Sequence, residues 1–139
     1  MRCEQIMKRN IECLREHDTI ATAARNMRNN EVGFLPVCDE AGRVHGTITD
    51  RDLAIRIRAA DRLMSTSVVE VMTQAVIACS PADEVSRVEE LMGQLHESHM
   101  LVCDEKGKLL GVISLSDIAQ YDQAGAATLH ESVPRLVRP

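Results

Sequence analysis

Apolar residues recur at intervals of three and four positions in two separate segments of the chain. This is the stripe of an amphipathic helix that packs one face on a core. The first stripe is Ile20, Ala23, Ala24 and Met27, and the second is Val85, Val88, Met92 and Leu95. We predict a helix in each segment. The second is expected to begin at Ser80-Pro81, because a hydroxyl N-cap followed by proline is a typical helix start.

Two short apolar segments, joined by a glycine-containing turn, follow each predicted helix. The turn contains Gly42 in the first case and Gly107 in the second, and glycine suits a β-hairpin because it accepts positive φ. Each return strand then leads into a further helix, which begins near Asp50 or Leu115. The predicted hairpin strands are residues 34–38, 44–48, 100–103 and 109–113.

The two patterns are copies of one another at an offset of 65 residues, without a gap. The offset superposes Gly46 on Gly111, for example, and a brief opening strand near Ile11 or Val76 completes a β-α-β-β-α unit. Self-similarity of this kind decides the architecture before any local pattern does. We therefore predict an α/β fold of two such repeats. The expected boundaries are residues 3–60 and 68–121 for the repeats, 61–67 for a linker and 122–139 for a tail.

Length and composition restrict what the repeats can do. A half of about 60 residues has a marginal core alone, so we expect the repeats to pack by pseudo-twofold symmetry into one compact module. The net charge of −5, with one Phe, one Tyr and no Trp, argues against a nucleic-acid partner, since such partners favour basic and aromatic surfaces. No apolar run is long enough to cross a bilayer, so no membrane partner is expected.

The cysteines and the N-terminus bear on the cellular compartment. The five cysteines are odd in number and form no C-x-x-C pair, which fits reduced thiols better than a disulfide framework. The first residues lack the apolar stretch of a signal peptide. We expect a cytoplasmic protein.

A similar polar element ends each return strand. Residues 46–52 read Gly-Thr-Ile-Thr-Asp-Arg-Asp, and residues 111–117 read Gly-Val-Ile-Ser-Leu-Ser-Asp. Together with the opening Ile6-Met7 and the segment Leu35-Pro36-Val37, these elements resemble a tandem pair of CBS (cystathionine β-synthase) motifs, often called a Bateman module. The resemblance covers roughly residues 3 to 121. Stand-alone bacterial CBS-pair proteins of the hypoxic-response type are similar.

The resemblance implies an adenosine-type ligand, with AMP, ADP or ATP foremost and NAD or S-adenosylmethionine in the same class. In the family a hydroxyl and a carboxylate hold the ribose while a neighbouring basic residue meets phosphate. The matching positions here are Thr49, Asp52 and Arg51. The chemistry is sound, because a carboxylate accepts ribose hydroxyls, and a helix N-terminus and a guanidinium both attract phosphate. Adenine would contact backbone near Asn10 and Ile11.

Helix capping is the alternative explanation of the same elements. Thr49 with Asp52, and Ser114 with Asp117, have the spacing of a capping box, in which both side chains bond backbone N–H groups. In the first repeat we favour ligand binding, because capping does not explain Arg51. In the second repeat we favour the cap, and Ser114 and Asp117 stand as candidate residues of a second nucleotide site.

Cys13 and His17 form a candidate metal site in the first repeat. Sulfur and imidazole suit zinc, but two ligands are fewer than a structural zinc site needs. The remaining ligands would have to come from folding or from a partner chain. The alternative is that nearby residues of the same types are ordinary ones, Cys38 in a core strand and His45 facing solvent.

These observations favour a regulatory protein that is not an enzyme. The chain contains no G-x-S-x-G, G-x-x-x-x-G-K-[ST], G-x-G-x-x-G or H-E-x-x-H motif, and the repeats use almost all of it. We expect an adenosine-nucleotide sensor that, as the resemblance implies, forms a homodimer and signals to a separate effector protein. The alternatives are a zinc-binding or redox-responsive structural protein and an interaction scaffold that binds no nucleotide.

Overall fold

The computed structural model describes residues 1–60 and 64–128 of the chain. Both repeats have the predicted β-α-β-β-α order of elements. The first contains β1 (Leu14–Arg15), α1 (Ile20–Asn30), β2 (Phe34–Cys38), β3 (Val44–Thr49) and α2 (Asp50–Ala60). The second contains β4 (Ala78–Cys79), α3 (Val85–Leu95), β5 (His99–Cys103), β6 (Leu109–Ser114) and α4 (Leu115–Thr128). The α/β fold class is thereby confirmed.

The elements divide into two compact units, each with one three-stranded sheet. The first-sheet unit comprises Glu12–Val76 and Lys106–Lys108. The second-sheet unit comprises Met1–Ile11, Ile77–Glu105 and the described residues from Leu109 onward. The units therefore do not coincide with the two halves of the sequence, because the opening segment of each repeat belongs to the unit built on the other repeat's sheet.

The first-sheet unit has the strand order β1-β2-β3, with β1 parallel and β3 antiparallel to β2. Helix α1 begins where the Thr19 hydroxyl accepts a hydrogen bond from the Thr22 N–H at 3.2 Å, a side-chain cap that satisfies an otherwise unbonded donor. Ile20, Ala23 and Met27 of its predicted stripe are buried, and Ala24 is half-buried. The core residues are Leu14, Ile20, Ala23, Met27, Leu35, Val37, Ile48, Val68, Val71 and Met72.

The second-sheet unit repeats this arrangement with the order β4-β5-β6. The hairpin turns adopt the predicted positive φ, at 84° for Gly42 in the first hairpin and 85° for Gly107 in the second. Of its predicted stripe, helix α3 buries Val85, Val88 and Met92, whereas Leu95 at the last turn is 40% exposed. A short 3-10 helix at Cys3–Gln5 contributes to the same core. The core residues are Cys3, Met7, Cys79, Val85, Val88, Met92, Met100, Val102, Ile113 and Ile118.

The start of α3 differs from the sequence prediction. The helix begins at Val85 after the N-cap residue Glu84, and not at Ser80-Pro81. Ser80 instead opens a turn, in which its hydroxyl accepts from the Ala82 N–H at 3.3 Å and its own N–H donates to Asp83 at 2.9 Å. Side-chain bonds of this local kind compete with helix formation, so the hydroxyl-proline pair marks the turn that precedes the helix.

The predicted linker and tail lie partly outside the described residues. Helix α2 extends to Ala60, residues 61–63 are outside the described ranges, and Ser67 precedes a 3-10 helix at Val68–Glu70. Helix α4 continues to Thr128, and the rest of the tail, 129–139, is also outside them. Within the ranges that are described, no helix combines the length and the apolar character needed to span a membrane.

Candidate functional site

The junction of β3 and α2 holds the residues that the sequence singled out in the first repeat. The Thr49 N–H donates to the Asp52 carboxylate at 3.0 Å, and the Asp52 N–H donates to the Thr49 hydroxyl at 2.9 Å. This is a complete capping box. Both side chains are half-buried. The box holds a hydroxyl and a carboxylate together at the N-terminus of a helix, whose free N–H groups give that end positive potential.

A third side chain reaches Asp52 from a remote part of the chain. Thr73 forms a two-way backbone pair with Thr47, at 2.9 and 3.0 Å, and its hydroxyl donates toward Asp52 at 3.4 Å. The backbones approach closely because Gly46 has no side chain. A Cβ at that position would lie 2.7 Å from both the Met72 sulfur and the Thr73 carbonyl oxygen. Thr73 was not identified from the sequence. The 65-residue offset pairs it with Lys8, so that both repeats carry a polar residue directly after a methionine.

Arg51 lies in the first turn of α2 with its side chain exposed. Its neighbour Asp50 is fixed by its own N–H, which donates to the Gly33 carbonyl oxygen at 2.8 Å. Of the side chains described at this helix start, Arg51 is the cation and Asp50 and Asp52 are the carboxylates. An exposed guanidinium at this place is available to an anionic group of a ligand.

The junction of β6 and α4 has the same design in the second repeat. The Asp117 N–H donates to the Ser114 hydroxyl at 3.1 Å, and the Ser114 N–H donates to the Asp117 carboxylate at 3.4 Å. The hydroxyls of Ser114 and Ser116 are 3.0 Å apart. Lys8 takes the place of Thr73, and its Nζ lies 3.4 Å from the Asp117 carboxylate. Both capping boxes that the sequence suggested are therefore formed.

Asn10 and Ile11 belong to the second-sheet unit, which also contains Ser114 and Asp117. The sequence interpretation grouped them with Thr49, Arg51 and Asp52, which lie in the first-sheet unit. The structure does not bring the two sets together within one unit. The reason is the exchange of opening segments, which places the repeat counterparts Ala75 and Val76 in the first-sheet unit instead.

Cys13 lies beside Cys38 in the first-sheet unit, and the two thiols are hydrogen-bonded. The hydrogen bond with Cys38 lowers the pKa of Cys13 to about 7, with a further contribution from the charge of Arg15. His17 is exposed and lines an open groove of about 480 Å³ that also includes Cys38 and Asp39. In the described part of the chain, no three His, Cys, Asp or Glu side chains are arranged to hold a metal ion.

A polar cluster in the first hairpin was not anticipated from the sequence. The carboxylate of Asp39 lies 2.8 Å from His45 Nε2 and accepts from Arg43 Nε at 3.2 Å. The hydrogen bond with His45, together with the backbone N–H of Arg43, holds the pKa of Asp39 well below its usual range. His45 is exposed, as expected, but it is paired. Asp39 lies in the turn just after β2, whereas His45 lies in β3, so the folding of the hairpin brings them together.

Known proteins of similar sequence and structure identify the family. A family model described as "CBS domain" matches residues 3–59 and again 68–124. Hypoxic response protein 1 of Mycobacterium tuberculosis is 29% identical over 118 residues, covering 84% of this chain and 81% of that protein. The CBS domain-containing protein YhcV of Bacillus subtilis is 33% identical over 115 residues, covering 80% and 81% of the two chains.

Solved structures agree with the sequence comparisons. A crystal structure of Hypoxic Response Protein I with two coordinated zinc ions superposes with a TM-score of 0.79 at 29% identity, over 87% of this chain and 98% of that one. The CBS domain pair of MJ0100, in complex with 5′-methylthioadenosine and S-adenosylmethionine, gives 0.78 at 23% identity, over 90% and 98% of the chains. The resemblance stated from the sequence is confirmed: this chain belongs to the CBS domain family and carries two such domains in tandem.

Proposed function

We propose that this chain is a regulatory module without catalytic activity that binds an adenosine nucleotide at its strand-to-helix junctions. The observation that carries the proposal is the Thr49–Asp52 pair, held at 2.9 and 3.0 Å at the start of α2 with exposed Arg51 between the two residues in sequence. A fold neighbour, MJ0100, binds adenosine compounds through a CBS pair. AMP, ADP and ATP are the favoured ligands, because a phosphate matches Arg51.

The capping box does not compete with this role. An ionised carboxylate has about four acceptor positions. The Thr49 N–H donates to one carboxylate oxygen at 3.0 Å, and the Thr73 hydroxyl approaches the same oxygen at 3.4 Å. The same cap fixes the rotamer of Asp52, and a fixed side chain loses less entropy when it binds a ribose. Capping thus prepares the carboxylate for a ligand at a helix end that attracts phosphate.

Thermal unfolding with AMP, ADP, ATP, NAD and S-adenosylmethionine tests the proposal. A ligand at about 100 times its dissociation constant stabilises the folded state by roughly 2.7 kcal/mol, which raises Tm by several degrees. Asp52→Asn keeps the shape and an acceptor for the Thr49 N–H, and should lose the ligand-dependent shift. Asp18→Asn is the matched control, since Asp18 accepts from the Arg15 N–H at 2.8 Å in a similar local bond away from the junction.

The two outcomes of this experiment separate the alternatives. A shift with one adenosine ligand that is lost in Asp52→Asn and kept in Asp18→Asn supports the sensor function and names the ligand. No shift with any of the five compounds would overturn it and favour a scaffold that binds no nucleotide.

Zinc binding by Cys13 is the second candidate function. It is favoured by the contact between Cys13 and Cys38 and by the lowered pKa of Cys13, because metal ligands must be thiolates. Hypoxic Response Protein I, a relative, coordinates two zinc ions. The pair would supply two ligands, with His17 close in sequence, and a partner copy would supply the rest. Metal analysis of purified wild type and Cys13→Ala distinguishes this candidate, since bound zinc should be lost in the variant.

We also propose that the module acts in the cytoplasm as a homodimer and reports to a separate effector protein. Ile55 on α2 and Tyr121 on α4 support an interface, because they are 53% and 42% exposed and stand on the corresponding helices of the two repeats. Symmetric dimers are the commonest oligomers. Light scattering after gel filtration should give twice the monomer mass, and a double substitution of Ile55 and Tyr121 by Ser should give the monomer.

A further inference from the structure

The two junctions obtain their positive charge from different parts of the chain. At the Asp52 junction the cation is Arg51 on the helix, and the remote segment contributes the neutral Thr73. At the Asp117 junction the helix carries the neutral Ser116, and the remote segment contributes Lys8. Among the described side chains, the basic residue of the first junction is Arg51, adjacent to Asp52 in sequence, and that of the second is Lys8, 3.4 Å from Asp117. The helix and the remote segment thus exchange roles.

Lys8 and Thr73 are held in equivalent places by their backbones. The Lys8 N–H donates to the Val112 carbonyl oxygen at 2.9 Å and the Val112 N–H donates back at 3.0 Å. Thr73 makes the same pair of bonds with Thr47, and both positions are related by the 65-residue offset. Backbone hydrogen bonds thus hold Lys8 and Thr73 at equivalent positions of the two junctions. The type of side chain at this position decides whether the remote segment contributes a charge to the junction.

The Lys8 ammonium, which contacts Asp117, is also exposed enough to contact a ligand. Its side chain is 73% exposed, whereas that of Asp117 is 12% exposed. The four-carbon stem of lysine is flexible and its ammonium is a compact phosphate-binding charge. Nζ can therefore leave Asp117 for a phosphate while the carboxylate, fixed by its capping bonds, accepts ribose hydroxyls in its place.

The neighbouring histidine does not supply this charge near neutral pH. Burial lowers the pKa of His99, although the charges of Asp117 and Glu97 oppose the effect, and the charge of Lys8 lowers it further. The His99 Nδ1 lies 3.1 Å from the Ser98 hydroxyl. Among the side chains described around Asp117, the positive charge thus comes from Lys8.

We propose that Lys8 determines the ligand class at the Asp117 junction, making it a site for a phosphate-bearing adenosine nucleotide rather than an uncharged adenosine derivative. The inference rests on the proposed function and assigns to Lys8 at the second junction the role that Arg51 has at the first. It adds a ligand-binding role to Ser114 and Asp117, whose capping box is formed as the sequence favoured.

The experiment compares AMP with 5′-methylthioadenosine, which share adenosine but differ in the charge at the 5′ position. Binding is followed by the chemical-shift changes of backbone amides in NMR titrations. The amide of Arg51 reports the first junction and the amide of Ser116 reports the second. Lys8→Met removes the ammonium and keeps an unbranched stem, Lys8→Arg restores a cation, and Lys106→Met is the matched control in the β5–β6 turn. Circular dichroism checks that each variant is folded.

The expected result is specific to one ligand and one junction. In Lys8→Met the AMP affinity at Ser116 should fall at least about tenfold, the size of a lost charge-assisted hydrogen bond. The response of Arg51 to AMP and the response of Ser116 to 5′-methylthioadenosine should stay within about twofold of wild type. Lys8→Arg and Lys106→Met should both bind AMP as wild type does.

The remaining outcomes separate this inference from the proposed function. If Lys8→Met binds AMP at the Asp117 junction as tightly as wild type does, the inference about Lys8 is wrong and the proposed function stands. The same holds if AMP shifts only the amide of Arg51 in the wild-type protein. If neither compound perturbs either junction, both are wrong.

Discussion

The Sγ atoms of Cys3 and Cys79 lie 4.0 Å apart in the second-sheet unit, with the Cys79 thiol donating to Cys3. Both residues are buried, and burial raises the pKa of Cys3 and raises that of Cys79 to about 12. In the first-sheet unit the Cys13–Cys38 contact has the opposite effect, because it lowers the pKa of Cys13 to about 7. The two pairs of neighbouring thiols therefore differ: the pKa values of Cys3 and Cys79 are raised, whereas that of Cys13 is lowered.

Cys13 should be the first thiol to react with iodoacetamide in the folded protein at pH 7.5. The thiolate is the nucleophile, and Cys13 is a half-exposed thiol with a lowered pKa. Peptide mass spectrometry after short pulses of reagent gives the rate at each cysteine. Cys38→Ala should raise the pKa of Cys13 toward the ordinary thiol value and slow its alkylation at this pH.

Cys103→Ala is the control for this prediction, because Cys103 is the repeat counterpart of Cys38 and belongs to the other unit. It should leave the rate at Cys13 unchanged. Equal rates at Cys13 and Cys79 in folded wild-type protein would contradict the difference in pKa between these two thiols.

Gly46→Ala should destabilise the protein by about 1–3 kcal/mol, the usual cost of adding a methyl group to a packed site. The added Cβ would lie 2.7 Å from the Thr73 carbonyl oxygen, which is backbone and cannot rotate away. Gly93→Ala is the matched substitution, because nothing lies within 4 Å of its Cβ position in helix α3. It should stabilise by roughly 0.5–1 kcal/mol through helix propensity. Urea unfolding measures both, and a loss at Gly93 equal to that at Gly46 would exclude the steric explanation.

The hairpins were predictable because their signals are local. The segment 34–38 is apolar, Gly42 supplies the turn, and the strand β2 has the predicted bounds Phe34–Cys38. The same holds for the junction residues, since a capping box is defined by residues three apart in sequence. Fold class and box formation therefore followed from pattern and turn chemistry alone.

The exchange of opening segments was not predictable from the repeat. An ungapped offset of 65 residues is the same whether residues 1–11 pack on their own repeat or on the other one. The deciding contacts, such as the bridge between Lys8 and Val112, join distant parts of the chain. For that reason the sequence did not reveal which unit contains Asn10 and Ile11, nor that Thr73 and Lys8 lie at the junctions.

Thr19→Ala should destabilise the protein more than Ser80→Ala. The Thr19 hydroxyl accepts from the Thr22 N–H at the start of α1, and loss of such an N-cap costs about 1 kcal/mol. The Ser80 hydroxyl accepts a hydrogen bond within the turn that precedes α3, whose own N-cap is Glu84. Ser80→Ala should therefore cost less than about 0.5 kcal/mol. Urea unfolding compares the two variants directly. The reverse order would mean that Ser80, and not Glu84, is the N-cap of α3.

Asp39 should make folding depend on pH in the acid range. Its carboxylate accepts hydrogen bonds from the backbone N–H groups of Ala41 at 2.9 Å and Arg43 at 3.0 Å, and lies 2.8 Å from His45. A carboxyl whose pKa is depressed on folding stabilises the protein above its unfolded pKa, about 3.9, and this contribution is lost as pH falls through the folded value. Asp39→Asn should therefore flatten the dependence of unfolding free energy on pH below about 4.

His45→Gln identifies the source of this effect. The hydrogen bond with His45 is the largest cause of the lowered pKa of Asp39, so removing the imidazole should move the titration of the Asp39 carboxyl, followed by carbon NMR, upward toward the ordinary range. His96→Gln, at the left-handed C-cap of α3 in the other unit, should leave that titration where it is. If His45→Gln also leaves it unchanged, the backbone N–H groups of the turn alone depress the pKa, and the histidine is a bystander held by the carboxylate.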